Sequence, residues 1–171
     1  MRNFIKGFIF VSVLWTLTIP VSAQEFRSGD VTITNAWMRA TARANFGAKV
    51  FFDISISGEN DEIFLGASTP IAPEVEIMQP AVIEGIFRTL RHEQVLIPPG
   101  EYQLHSNSIH LTLLRAPVIS EGSTLSVTLK FERAGNIEIQ VPVLGVRAKD
   151  PRVLEDAAVQ CMNHLRQLER C

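Results

Sequence analysis

Cysteine is almost missing from this chain: Cys161 and Cys171 are the only two, and both lie in the last eleven residues. No disulfide framework can therefore staple the body of the chain. Aromatic residues are sparse at 8%, and the basic residues are scattered rather than grouped with them. That removes the basic, base-stacking surface that nucleic acid would need. Enzyme signatures are missing too: there is no Gly-x-Ser-x-Gly, no His-Glu-x-x-His, no P-loop and no Gly-x-Gly-x-x-Gly after a strand. The sequence proposes no catalytic machinery, and the expectation is a protein that is not an enzyme. Finally, no apolar run is long enough to span a bilayer, which takes roughly 20 residues.

The longest such run, Gly7–Ile19, is thirteen residues and sits behind Arg2 and Lys6. Pro20 ends it, and Val21-Ser22-Ala23 supplies the small-residue pattern that precedes a cleavage point. Residues 1–23 are thus expected to be a signal peptide removed after Ala23, leaving no stable membrane span. The remaining Gln24–Cys171 is 148 residues, with 14 basic against 18 acidic side chains. That is enough chain for one domain with a sizeable core. Export places it in an oxidising compartment.

What is there is mostly strand. After a short lead at 24–30, Val31 and Ile33 alternate with threonines, and Val50, Phe52, Ile54 and Ile56 alternate up to the turn Ser57–Asp61. Short apolar stretches follow at Ile63–Ser68, Glu74–Met78, Ala81–Ile83, Ile86–Leu90 and Val95–Ile97, punctuated by Pro70, Pro73, Glu84-Gly85 and Pro98-Pro99-Gly100. Leu125–Phe131 and Ile137–Val143 close the series with clean period-2 alternation. About eight or nine strands with no amphipathic helix between them predict an all-β sandwich over residues 31–143. Its core is expected to include Val50, Phe52, Ile54, Leu111, Val127, Leu129, Phe131, Ile139 and Val141, and Trp37 is read as a core residue.

The stretch Glu101–Leu114 is the centre of the functional reading. It predicts two short strands joined by a polar turn at Ser106-Asn107-Ser108, the second half-buried with Ile109, Leu111 and Leu113 inward. His110 and Thr112 then share one face, roughly 6–7 Å apart at the backbone, a spacing from which two donors can close on one metal ion. Each of His105, five residues before His110, and His92, after Leu90, is either a further nitrogen donor or an ordinary solvated histidine.

Val31-Thr-Ile-Thr-Asn-Ala-Trp-Met-Arg-Ala-Thr41 with Gly47-Ala48 resembles the opening of the periplasmic copper chaperones called PCuAC. Leu65-Gly-Ala-Ser-Thr-Pro70, Val75-Glu-Ile77, Ile97-Pro-Pro-Gly100, Ile109-His-Leu111 and Glu121-Gly122 match later pieces in order. The resemblance implies a cupredoxin-like Greek-key β-sandwich in the periplasm. It implies Cu(I) as cargo, carried towards a copper-accepting cytochrome oxidase subunit or another copper chaperone. The family's copper motif is degenerate here. Its first His corresponds to Met78, its next Met to Pro80, a later Met falls near Thr89, and its closing His-x-Met reads His110-Leu111-Thr112. Cu(I) prefers thioether, thiolate and imidazole, so the donors left are Met78 and His110, with His105 and His92 in reserve. If those donors do not suffice, the implied alternative is a sandwich that has lost tight copper binding and serves as a metal-free interaction module.

Residues 144–151 read as a connector and 152–171 as a C-terminal helix, with Leu154, Ala158, Cys161, Leu165 and Leu168 on one stripe. Cys161 can belong to that stripe, share a metal with His164 at i+3, or pair with Cys171. The disulfide requires the last turns to unwind, because a continuous helix would hold the two Cα atoms about 15 Å apart against a limit of roughly 7 Å. It is the favoured reading in an oxidising compartment. A stripe of this kind is marginal in water by itself and is expected to pack on the sandwich or on a second subunit. Deleting Val153–Cys171 should therefore lower the melting temperature or change the oligomeric state, as read by calorimetry and sedimentation. An unchanged protein on both counts would mark the tail as a free appendage.

Overall fold

The structure is a computed structural model that describes residues 24–45 and 47–151. The expected signal peptide, the C-terminal helix and the Cys161–Cys171 pairing lie outside these residues. Eleven strands account for most of the described chain: β1 (Phe26–Ser28), β2 (Val31–Arg39), β3 (Ala48–Ile56), β4 (Glu62–Ser68), β5 (Glu74–Ile83), β6 (Ile86–His92), β7 (Val95–Ile97), β8 (Gly100–Leu104), β9 (His110–Leu114), β10 (Thr124–Phe131) and β11 (Asn136–Leu144). The fold is all-β, as the alternation predicts.

The strands run in the order β6-β5-β9-β3-β2-β11-β10-β4-β7, with β1 added to β2 and β8 to β3. All the pairings are antiparallel except β11 with β2, which meet in parallel only at Val143↔Met38 and Leu144↔Arg39. The two halves thus form one continuous ladder folded over a shared core. That core contains all nine residues expected from the pattern, each at most 3% exposed. Val50, Leu111 and Ile77 reach it from one half, Val127, Leu129, Ile139 and Val141 from the other.

Two local devices decide which side chains face outward. The first is a bulge in β2: Thr34 pairs with Asp53, but the next pairing is Trp37 with Phe51, so Asn35 and Ala36 together oppose one residue. Asn35 takes a left-handed φ of 52°, a conformation asparagine tolerates better than most residues, and its Nδ2 donates to Asp53 Oδ2 at 2.7 Å. The extra residue shifts the alternation. Met38 enters the core, and Trp37, read from the sequence as a core residue, is buried on the opposite face of the sheet.

The second device is on β3. Its Phe52–Ile56 half pairs with β8 and its Ala48–Val50 half pairs with β9. The strands β8 and β9 are therefore two parts of one interrupted line along β3, and residues 105–109 loop out between them. The Ser108 hydroxyl donates to the Gln103 carbonyl, and the His105 backbone N–H donates back to Ser108 Oγ. Beyond this loop the β5–β6 hairpin continues alone. Its turn, Glu84-Gly85, has φ of 53° and 78°, the two positive values a type I′ turn requires, despite the poor suitability of glutamate there. Pro80 lies within β5 just past the end of its pairing with β9, where β6 is its sole neighbour, the edge setting in which strand proline occurs.

On the far side, Glu62 is buried and holds the β10–β11 turn. Its Oε1 accepts from the backbone N–H of Ile63 (2.9 Å) and Arg133 (3.0 Å), and its Oε2 accepts from Ala134 (3.0 Å). Glu62→Ala removes the acceptors of those part-buried donors and should lower unfolding free energy by roughly 1–3 kcal/mol in urea titrations. Glu62→Gln, which retains one acceptor oxygen, should cost less.

Candidate functional site

Antiparallel register places direct partners on the same face, so the side chains around His110 can be named strand by strand. His110 pairs with Met78 on β5, and Met78 pairs with Arg91 on β6. One step along, Thr112 pairs with Glu76 on one side and Lys49 on the other. On the β3 side the Phe51 ring stands 6.1 Å from the His110 ring and 4.9 Å from Trp37. The Arg39 guanidinium lies over both Trp37 and Phe51, at 5.2 and 5.7 Å from their centroids. A row of Arg91, Met78, His110, Phe51 and Trp37 thus crosses five strands on the face opposite the main core.

This face is not the half-exposed surface that the alternation of β9 predicts. His110 is 1% exposed, Phe51 1% and Trp37 4%, and Thr112 and Glu76 are buried as well. The strand is buried on both sides. Burial and polarity coexist because the charges are paired: Arg91 contacts Glu76 at 2.9 Å, and Arg115 contacts Glu74 at 3.2 Å.

The His110 ring is oriented by its own loop. Its Nδ1 is 3.0 Å from the Ser108 carbonyl oxygen. A carbonyl can accept and cannot donate, so Nδ1 carries the hydrogen and the neutral ring keeps its lone pair on Nε2. That is the tautomer a metal-binding histidine needs when its other nitrogen is held by a backbone oxygen. Burial pulls the imidazole pKa below the ordinary value, and the nearby charges of Lys49 and His105 add to the effect; the Ser108 bond opposes it. The ring is thus kept neutral and available as a donor.

The other histidines divide. His105 begins the excursion that ends at His110 and is close enough to lower its pKa. Its Nδ1 accepts from the Asn107 backbone N–H at 3.2 Å. His92 pairs with Ile77 and so falls on the other face of the sheet, where its Nε2 is 2.8 Å from Gln79 Oε1. The register brings Met78 and His110 together, leaves His105 beside them and carries His92 away.

A family model described as LpqE-like matches residues 31–143. The chain belongs to the LpqE-like family. Among solved structures, the apo PCuAC domain of PmoF2 superposes with a TM-score of 0.61 at 19% identity, covering 73% of this chain and 98% of that one. The copper-bound PCuAC domain from PmoF2 gives 0.60 at 19%, covering 71% and 98%. The apo PCuAC domain from PmoF1 gives 0.60 at 22%, covering 71% and 99%. The LpqE-like chain therefore has the PCuAC fold. Among curated proteins, none matches it.

The donor set of this LpqE-like chain is short. Among the described residues, no group of three or more His, Cys, Asp or Glu is placed to hold a metal ion. Met78 and His110 offer a thioether and an imidazole, which suit a soft ion. Around them stand Thr112, Glu76, Lys49 and Arg91, which offer hard oxygen or positive charge. Sequence reasoning found the two donors and missed Glu76, Arg91, Lys49 and Arg39. Glu76 was legible in principle, since Glu74 and Glu76 alternate with Val75 and Ile77 on the strand next to His110.

The depressed pKa of His110 fixes a sign for the pH dependence of folding. Around the unfolded value of about 6.5 the unfolded chain binds more protons at this site than the folded one. The stability this contributes is complete above that value and is lost as pH falls towards and through the folded pKa. Denaturant melts between about pH 7 and pH 5 should show falling stability, and His110→Gln should flatten the decline.

Proposed function

We propose that this domain is an exported, non-enzymatic copper-handling protein of the periplasm that holds Cu(I) between Met78 and His110 and passes it on. The accepting protein would be a copper-accepting cytochrome oxidase subunit or another copper chaperone. The observation that carries this reading is the register: the two soft-ion donors of the described face are direct cross-strand partners. The ring orientation supports it, since the lone pair is left on Nε2. The fold supports it as well, because the copper-bound PCuAC domain from PmoF2 is a structural neighbour. Export rests on the N-terminal pattern; among the described residues, no helix is long and apolar enough to cross a membrane. Two donors without a closed third make an open site, suited to release rather than storage.

A second reading has its own observation. Lys49 stands across from Thr112 with no carboxylate at ion-pair distance among the described residues, and Arg91, paired with Glu76, stands across from Met78, so no third soft donor closes on the pair from either neighbouring strand. Under that reading the chain keeps the sandwich, has lost tight copper binding and works as a metal-free interaction module.

Anaerobic competition for Cu(I) against a soft-metal chelator separates the two. On the first reading Gln24–Cys171 competes, His110→Ala and Met78→Ala each weaken binding by at least about tenfold, and His164→Ala changes little. Thr112→Met should tighten binding, since it exchanges a hydroxyl for a thioether on the face of His110. A parent chain that cannot compete at all, alongside a Thr112→Met, Thr89→Met variant that can, decides for the second reading.

A further inference from the structure

Next to His110, on the β2–β3 side of Phe51, the same face opens into a cleft of about 440 Å³. Its walls are the segment from Arg39 to Arg43, Gly47, the first two residues of β3 (Ala48 and Lys49), Phe51 and Val146. Three of these residues, Arg39, Arg43 and Lys49, are cations, and no acidic residue is among the described residues that line it. None of the three has a carboxylate at ion-pair distance among the described residues; the ion pairs there involve Arg91 and Arg115. Elsewhere on this face the cations are neutralised. Here they are left unmatched around an opening.

The cleft is built rather than incidental. Arg39 Nε donates to the Ala148 carbonyl at 2.7 Å while its guanidinium rests on Trp37 and Phe51. Its terminal nitrogens are thus held in place before any anion arrives, which reduces the ordering cost of binding one. The wall from Ala40 to Asn45 is tied to neighbouring segments. Ala40 N–H donates to Leu144 O, Thr41 N–H to Ile119 O and Asn45 N–H to Ala116 O, at 2.7, 3.0 and 2.9 Å. Asn45 and Gly47 both take left-handed φ, 62° and 59°, which turns the chain back to close the wall. Between the cations the exposed apolar surface comes from Ala42 and Val146, with the buried Ala40, Ala48 and Phe51 forming the floor behind them.

Charge and apolar surface together define the ligand. Inorganic phosphate would satisfy the cations and leave the apolar walls wet; a neutral hydrocarbon would do the reverse. The cavity volume lies in the range of small-molecule sites, in which a few fixed polar groups orient a mostly apolar body. A second cleft of about 530 Å³ on the same domain is lined by Glu25, Asp53 and Glu101 and has the opposite charge. We propose that the cleft bounded by Arg39, Arg43, Lys49 and Phe51 binds a small amphiphilic anion, a carboxylate joined to an apolar body.

The test is a titration of the full chain with octanoate, octanamide and acetate, followed by calorimetry and by amide chemical shifts. Octanoate should bind saturably with the largest shifts in the segment from Ala40 to Lys49. Octanamide, which lacks the charge, and acetate, which lacks the body, should each bind at least tenfold more weakly. Arg43 and Lys49 are exposed, so the double variant Arg43→Glu, Lys49→Glu should keep its fold and lose at least tenfold in octanoate affinity. The exposed hairpin variant Arg88→Glu should bind as the parent does. Absence of saturable octanoate binding overturns the proposal. So does octanamide binding equal to octanoate, shifts centred elsewhere, or a charge-reversed variant that binds within twofold of the parent.

Discussion

Strand parity is the constraint on which the rest of this molecule depends. In a pleated sheet the register of a residue decides its face, and a slip of one position moves every side chain on that strand to the other side. The strands β5-β9-β3-β2 carry the core on one face, and with β6 they carry the row Arg91, Met78, His110, Phe51, Trp37 on the other. The Asn35–Asp53 bond pins the bulge that resets parity within β2. Without it Met38 would leave the core and Arg39 would enter it. The candidate metal donors and the cationic cleft are thus two outputs of one register.

The electrostatic character of that face follows from the same ladder. Glu74 and Glu76 fall beside Arg115 and Arg91, and those pairs neutralise the β5 side. Lys49 and Arg39 fall on the β3–β2 side without such partners among the described residues. A gradient from matched to unmatched cations therefore runs across His110. A bound Cu(I) ion would sit where it changes from one to the other, and its affinity would depend on Glu76 as well as on its own donors. Exposed ion pairs are weak because water screens them, but Glu76 is buried, and removing it would leave positive charge closer to the site.

Much of this was legible in the sequence. Period-2 alternation in Val50–Ile56, Leu125–Phe131 and Ile137–Val143 is a direct consequence of one buried face per strand, and it identified the core residues. His110 with Met78 came from a motif position, and the register then placed them together. What alternation could not carry was a strand buried on both faces. In β9 the polar His110 and Thr112 imitate a solvent side, though both are covered. Nor could it show the bulge, since Asn35-Ala36 reads as an ordinary interruption until its pairing partner is known. His92 lies on the other face because β6 pairs with β5 residue for residue, a non-local fact.

The single parallel contact in the sheet sets when the domain can form. Met38 and Arg39, near the beginning, find their neighbours in Val143 and Leu144, at the end of the last strand. Glu62 likewise waits for the backbone of Arg133 and Ala134. Until β11 is in place, the β2 side and the β10 side of the ladder lack the strand that joins them. Pairings between such distant segments make for slow closure. The order of the strands thus makes closure of the sandwich wait for its last described strand, because β11 is what joins β2 to β10 in the ladder.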